Sequence, residues 1–339
     1  MYSSALCCSG SSQSNLERFL ECVTPIVPSR ILPESCYNDL NSQWQPLGKD
    51  PVEYFELKDL WDCYNEWSAY GVGIPLMLEN GDTLIHYYVP YLSGIQIYSS
   101  KSVAASRIRR DDSDGVERES DSWSEDSGSD NLSRSLSNNS SKAWDAVSED
   151  SSYDQEGSWL TRDRLGYAYL QFTEMSSPYW RVPLADKITE LARTHPALMT
   201  LKSVELSPAS WMAVAWYPIY PIPSRKNEKD LATCFLTYHT LSSSFQDSEM
   251  VYNDIDTGKD TCCNSYELGG EKSEKKKSDS ISLPPFGLGT YKLQGDLWLN
   301  PGSCDQERIG VLHSAADSWL KQLNAHHHDF NFFTFHSTL

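Results

Sequence analysis

The sequence predicts an α+β fold, with a largely antiparallel sheet, about four flanking helices and two polar inserts. Three observations carry this. Ser207–Pro223 (SPASWMAVAWYPIYPIP) has no charged residue, and its centre reads as a strand apolar on both faces. Met212, Val214 and Trp216 would point one way and Ala213, Ala215 and Tyr217 the other, so the small side leaves room for a close helix and the large side fills a core. A hairpin and a meander precede this stretch, and the alternation in Cys234–Leu241 (CFLTYHTL) follows it. Pro218, Pro221 and Pro223 cannot donate ladder hydrogen bonds, so the strand is expected to end near Tyr217.

In chain order, residues 1–13 read as a small, polar tail. Ser14 and Glu17 form a capping box, and Leu16, Phe19, Leu20 and Val23 repeat at helical spacing until Pro25. A proline-rich polar loop leads to a second helix over Leu57–Tyr70, which Gly71 is placed to stop. A strand at Ile74–Leu78 is followed by Asn80-Gly81, the signature of a type I′ turn, and then by Thr83–Val89. Tyr91–Tyr98 reads as a third meander strand, with Pro90 and Gly94 marking a bend or bulge.

Residues 99–160 are serine, aspartate, glutamate and asparagine with almost no aliphatic side chains, a composition that predicts no fixed structure. GYAYLQFTE restores a strand, Pro183 opens a helix carrying Leu184, Ile188 and Leu191, and Leu201–Leu206 reads as a short strand. A second polar insert covers residues 243–282. Tyr291–Leu299 is the expected last strand, Gln306–Asn324 the last helix, and the aromatic segment Asp329–Phe335 is expected to pack back onto the body. Each block between the inserts is too short to close its own core. The expected organisation is therefore a single domain over 14–339 with two insertions.

With 39% hydrophobic and 12% aromatic residues the chain has ample material for a core, and no apolar run reaches the ~20 residues of a membrane span. Nine cysteines without a C-x-x-C pair, and no secretion signal, point to reduced thiols in the cytoplasm or nucleus. Fourteen acidic and three basic residues fall between Asp111 and Ser158, a net of −11 out of −19. Neither that segment nor the rest offers the basic face that direct nucleic-acid binding requires.

The stretches SNLERFLECVTPIVPS, LWDCYNEWSAYGVGIPL, YYVPYLSGIQIY, PLADKITELA, SWMAVAWYPIYPIP, CFLTYHTLSSSF and LPPFGLGTYKLQGDLW, in this order along nearly the whole chain, resemble a plant family known as domain of unknown function 789. The resemblance implies a plant origin and one continuous domain. It brings no reaction, cofactor, partner or catalytic residue.

No nucleophile elbow, phosphate-binding loop, zinc-protease motif or kinase signature is present, so no catalytic, cofactor-binding or metal residue is assigned. His326-His327-His328-Asp329 has metal-ligand chemistry, but neighbours on a helix point about 100° apart and would need distant partners. His86 and His239 lie inside predicted strands, where two imidazoles could line one pocket with Asp186 or Glu174 to orient them. Ser122, Ser127 and Ser151 each have an acidic residue three positions on (Glu125, Asp130, Asp154), the pattern acidophilic kinases favour, which makes them candidate phosphorylation sites. The functional expectation is a non-catalytic interaction or regulatory module with a phosphorylatable acidic loop and an unknown protein partner. The alternative is an enzyme using a pocket near His86 and His239.

Overall fold

In a computed structural model, residues 13–33, 35–36, 44, 52–78, 81–100, 165–219, 232–243, 279–301 and 303–335 are described. The uncharged stretch lies inside the sheet. Strand β7 (Trp211–Ile219) sits between β5 (Thr83–Ser99) and β8 (Cys234–Thr240), with β10 (Gly287–Tyr291) beyond β8 and β4 (Val72–Met77) beyond β5. β6 (Tyr167–Thr173) also pairs with β5, and every strand pairing in this sheet is antiparallel. The fold is α+β, as the pattern of the sequence predicts.

The two faces of β7 separate as its alternation requires. Met212, Val214 and Trp216 join a large cluster with α1 (Asn15–Cys22), α2 (Leu57–Tyr70), α3 (Leu184–Thr194) and α4 (Gly295–Trp298). Trp211, Ala213 and Ala215 join a second cluster with α5 (Asp305–Gln322) and α6 (His328–Phe335). Helix α5 serves both, placing Ile309 and Leu312 in the first and Ala316 and Leu320 in the second, as it runs along β10. Phe330 and Phe333 are buried, so the aromatic C-terminal segment packs back as expected.

α1 carries the predicted capping box, and α2 has the predicted bounds. Several other details differ from the sequence reading. The hairpin after β4 is closed by Leu78 N–H to Asp82 C=O and Gly81 N–H to Leu78 C=O, with Gly81 at φ 83. That is a three-residue connection with glycine in the left-handed region, rather than a two-residue Asn80-Gly81 turn. The two expected strands after it are one 17-residue strand, β5. Pro90 falls between the stretches where β4 and β6 pair with one edge of β5, so no ladder donor is missed on that edge.

β7 continues past Tyr217 to Ile219, pairing Pro218 with Tyr88. Leu201–Leu206 is a 3-10 turn (Ser203–Glu205) between isolated bridges, not a strand. Tyr291–Leu299 is divided between the last residue of β10 and the short helix α4.

Two small pairs complete the structure. β1 (Ile26–Pro28) pairs with β9 (Ser280–Ser282), which takes those residues out of the expected second insert. β2 (Arg30–Ile31) pairs with β3 (Glu53–Tyr54). Ser99, expected to begin the first insert, is the buried last residue of β5. Residues 101–164 and 244–278, and with them Ser122, Ser127 and Ser151, lie outside the described residues, as do residues 1–12. Among the described residues no helix is long and apolar enough to cross a membrane.

Candidate functional site

A buried polar network that joins several elements starts at an irregularity in the sheet. Between Leu92 and Gly94 the register of β5 against β7 shifts by one residue, which leaves Ser93 as the extra residue of a β-bulge. A bulge re-aims a side chain, and Ser93 meets the C-terminal segment there. Its Oγ donates to Asp329 Oδ2 at 2.5 Å and lies 3.0 Å from His327 Nε2. The next residue is glycine for a spatial reason: a Cβ on Gly94 would lie 3.1 Å from His327 Nε2 and 3.3 Å from the Trp211 ring.

His327 Nδ1 lies 2.5 Å from Tyr238 Oη, and its ring packs edge-on to Trp211 and Tyr238. Asp329 accepts two hydrogen bonds from Arg181, at 2.6 and 2.8 Å, with side-chain exposures of only 3% and 2% for the pair.

One proton arrangement satisfies every member. Tyr238 O–H donates to His327 Nδ1, His327 Nε2–H donates to Ser93, and Ser93 O–H donates to Asp329, which Arg181 neutralises. Burial pushes the His327 imidazole down to about 4, against the opposing attraction of Asp329, so the ring is neutral. Burial would raise the Asp329 carboxyl, but the hydrogen bonds and charge of Arg181, with the Ser93 hydrogen bond, together outweigh it and hold the carboxyl below the ordinary carboxylate range. The Tyr238 phenol is pushed up by burial and stays protonated.

Serine, histidine and aspartate together suggest acyl transfer, but the order of contacts is wrong for it. In a catalytic triad the carboxylate orients the histidine and the histidine takes the serine proton. Here the carboxylate accepts the serine hydrogen bond and the histidine faces a tyrosine, while Ser93, His327 and Asp329 are all buried. The arrangement ties α6 to the bulge of β5.

It also holds a surface loop. Residues 174–183 connect β6 to α3, and Arg181 reaches inward from them, its Nε donating to Ser176 C=O at 2.9 Å. Glu174 Oε1 accepts the backbone N–H groups of Met175 and Ser176 at 2.9 and 2.8 Å, and its own N–H donates to Ser93 C=O. Pro178–Trp180 forms a 3-10 turn closed by Trp180 N–H to Ser177 C=O and Arg181 N–H to Pro178 C=O. On this braced loop Tyr179 is 94% and Trp180 83% exposed, with Met175 and Val182 also exposed.

The histidines singled out in the sequence do not meet. His239 pairs across β7 with Met212, which pairs with Ile95 of β5. His86 lies nine residues back along β5, about 30 Å away at a strand's rise per residue. His86 is buried with its ring 5.0 Å from that of Tyr88. His239 Nδ1 donates to Leu283 C=O at 2.9 Å, which leaves Nε2 to accept from Thr237 Oγ1, itself bonded to Trp216 Nε1–H. Burial lowers this imidazole to about 4, so it is a neutral, satisfied core group.

Asp186 lies exposed in the first turn of α3, and Glu174 braces the loop rather than a histidine. Of the run at 326–329, His327 and Asp329 point into the network while His326 is exposed. Among the described residues no group of three or more His, Cys, Asp or Glu side chains could hold a metal ion. Ser93, Tyr238 and Arg181 carried no motif. The signals were indirect: a glycine after a serine in a strand, and one arginine in an aromatic and proline segment.

The family model described as "Protein of unknown function (DUF789)" matches residues 14–333, which include the whole network and the aromatic loop. No curated protein and no solved structure matches the chain.

Proposed function

Because the chain belongs to the DUF789 family, whose description assigns no activity, its role has to be read from its own surface, and we propose a non-catalytic protein-interaction module. The carrying observation is the loop at 174–183. Tryptophan and tyrosine are the residues that dominate protein interfaces, and a rigid presentation lowers the entropic cost of binding. Tyr179 and Trp180 are almost fully in solvent, yet their loop is fixed from beneath by Arg181 and Glu174. The partner is a protein with a concave, apolar site for an indole and a phenol. Stacked nucleic-acid bases fit poorly, because the chain's net charge is −19 and Arg181 is committed to Asp329.

Substituting Tyr179→Ala and Trp180→Ala together is expected to weaken partner capture from a native extract at least tenfold, as hot-spot truncations do. Melting temperature should hold, since neither ring is buried. An unchanged set of captured proteins would remove the reading. The cysteine spacing, without a paired framework, favours the cytoplasm or nucleus for this module, and a disulfide in the native protein would contradict that.

The acidic insert supplies regulation in this reading. It leaves the sheet at the end of β5 and returns at the start of β6, about 20 Å of strand from the aromatic loop. Each phosphate on Ser122, Ser127 or Ser151 would add about −1.5 to −2 charge, repelling acidic partners and recruiting basic ones within roughly 8–10 Å. Replacing all three serines by aspartate is expected to change the captured set with little change in melting temperature. A large fall in melting temperature, or an unaltered set, would contradict this role.

A further inference from the structure

The α5–α6 layer covers only part of its face of the sheet. Past Tyr217 the outward-facing residues are Gly73, Pro75 and Met77 of β4, Thr83, Ile85 and Tyr87 of β5, and Ile219 of β7. Met77, Ile85, Tyr87 and Ile219 are exposed by 39–55%, Thr83 is exposed, and none of the seven carries a charge. The surface is flat rather than hollow: a Cβ on Gly73 would lie 3.0 Å from Ile85 Cγ2 and 3.2 Å from Tyr87 Cε1. Tyr70, 78% exposed at the end of α2, borders it, since neighbouring Gly71 abuts Ile219 and Tyr87.

We infer that this half-face is where two copies of the chain pair about a twofold axis. Self-association of this kind sets one patch against its own copy, so like charges within it would be brought together and a charge on the axis would face itself. A charge-free face avoids that repulsion in a chain of net charge −19, whereas a different partner could supply opposite charge and would need no such exclusion. The area is that of a small, reversible contact. At about 150–250 Å² for a large side chain, the five large exposed groups offer roughly 500 Å², and half-buried Val89, Tyr91 and Tyr217 add to it. A standard interface takes about 800 Å² from each partner, and weak, transient ones take less.

Pairing through the edge of β4 is closed. Pro75 has no N–H, and Asn15 occupies the N–H and C=O of Met77 at 2.7 and 2.8 Å. The contact is therefore face to face.

Sedimentation velocity on the full chain at about 0.15 M salt, from roughly 1 to 100 µM, tests this. A reversible dimer is expected, with Tyr87→Asp and Ile85→Asp each raising its dissociation constant at least tenfold and Trp180→Ala leaving it unchanged. Hydroxyl-radical footprinting of the unmodified protein provides a variant-free check, with Met77 and Tyr87 expected to become protected as concentration rises. A monomer throughout the range, or a dimer whose protected residues lie elsewhere, would overturn the proposal. The partner-binding loop would stand or fall separately.

Discussion

Replacing Asp329 by alanine is expected to cost about 3–5 kcal/mol of stability, the range for leaving one member of a buried ion pair without its counter-charge. Arg181 would remain 2% exposed beside Tyr217, whose ring lies 5.8 Å from the guanidinium carbon, and Ser93 would lose the acceptor of its proton. Removing both charges together, as Arg181→Met with Asp329→Leu, should cost far less than Asp329→Ala alone, because no uncompensated charge stays inside. Urea unfolding of the three proteins gives the comparison. The double replacement should also loosen residues 174–183 while leaving the sheet intact, weakening partner capture without unfolding. A loss below about 1 kcal/mol in Asp329→Ala would mean that the pair is solvated.

Acid should destabilise the protein before ordinary carboxylates titrate. His239 and His327 have folded values of about 4, against an ordinary 6.5. Between those values the unfolded chain binds more protons than the folded one, so stability falls as pH is lowered through the window and is fully present above 6.5. At 1.36 kcal/mol per unit, each histidine contributes on the order of 2 kcal/mol of loss by pH 5. Protonation would leave Tyr238 O–H and Thr237 O–H facing N–H groups instead of lone pairs. Denaturation midpoints at pH 7, 6 and 5 provide the test, and a flat profile over that interval would contradict the buried, neutral assignment of both rings.

Elements whose local signal and tertiary role agree were legible in the sequence. β7 shows its two faces as alternating large and small residues, α1 its capping box, and α2 its apolar spacing. Errors gathered where pairing partners decide. Residues 201–206 look extended, but they make only single bridges, from Lys202 to Glu56 just before α2 and from Leu206 to Ser99 of β5. Thr83–Ser99 reads as two strands because the proline and glycine that suggest a break are absorbed by a gap in pairing and by a bulge.

The candidate site was hardly legible. Its members come from β5, the loop before α3, β8 and the start of α6, and positions as far apart as Ser93 and Asp329 share no local pattern. His327 and Asp329 stood inside a run that suggested metal chemistry, and only the fold shows that these two members face the bulge.

If the buried network serves to present Tyr179 and Trp180 to a partner, site-specific photo-crosslinking will show it, with a benzophenone amino acid at position 180 and, as control, at exposed Val311 on α5. A discrete crosslinked protein is expected from position 180, absent from position 311, and strongly reduced when Arg181→Met and Asp329→Leu release the loop. Equal labelling from both positions, or a crosslink at 180 indifferent to loss of the Arg181–Asp329 pair, would contradict it.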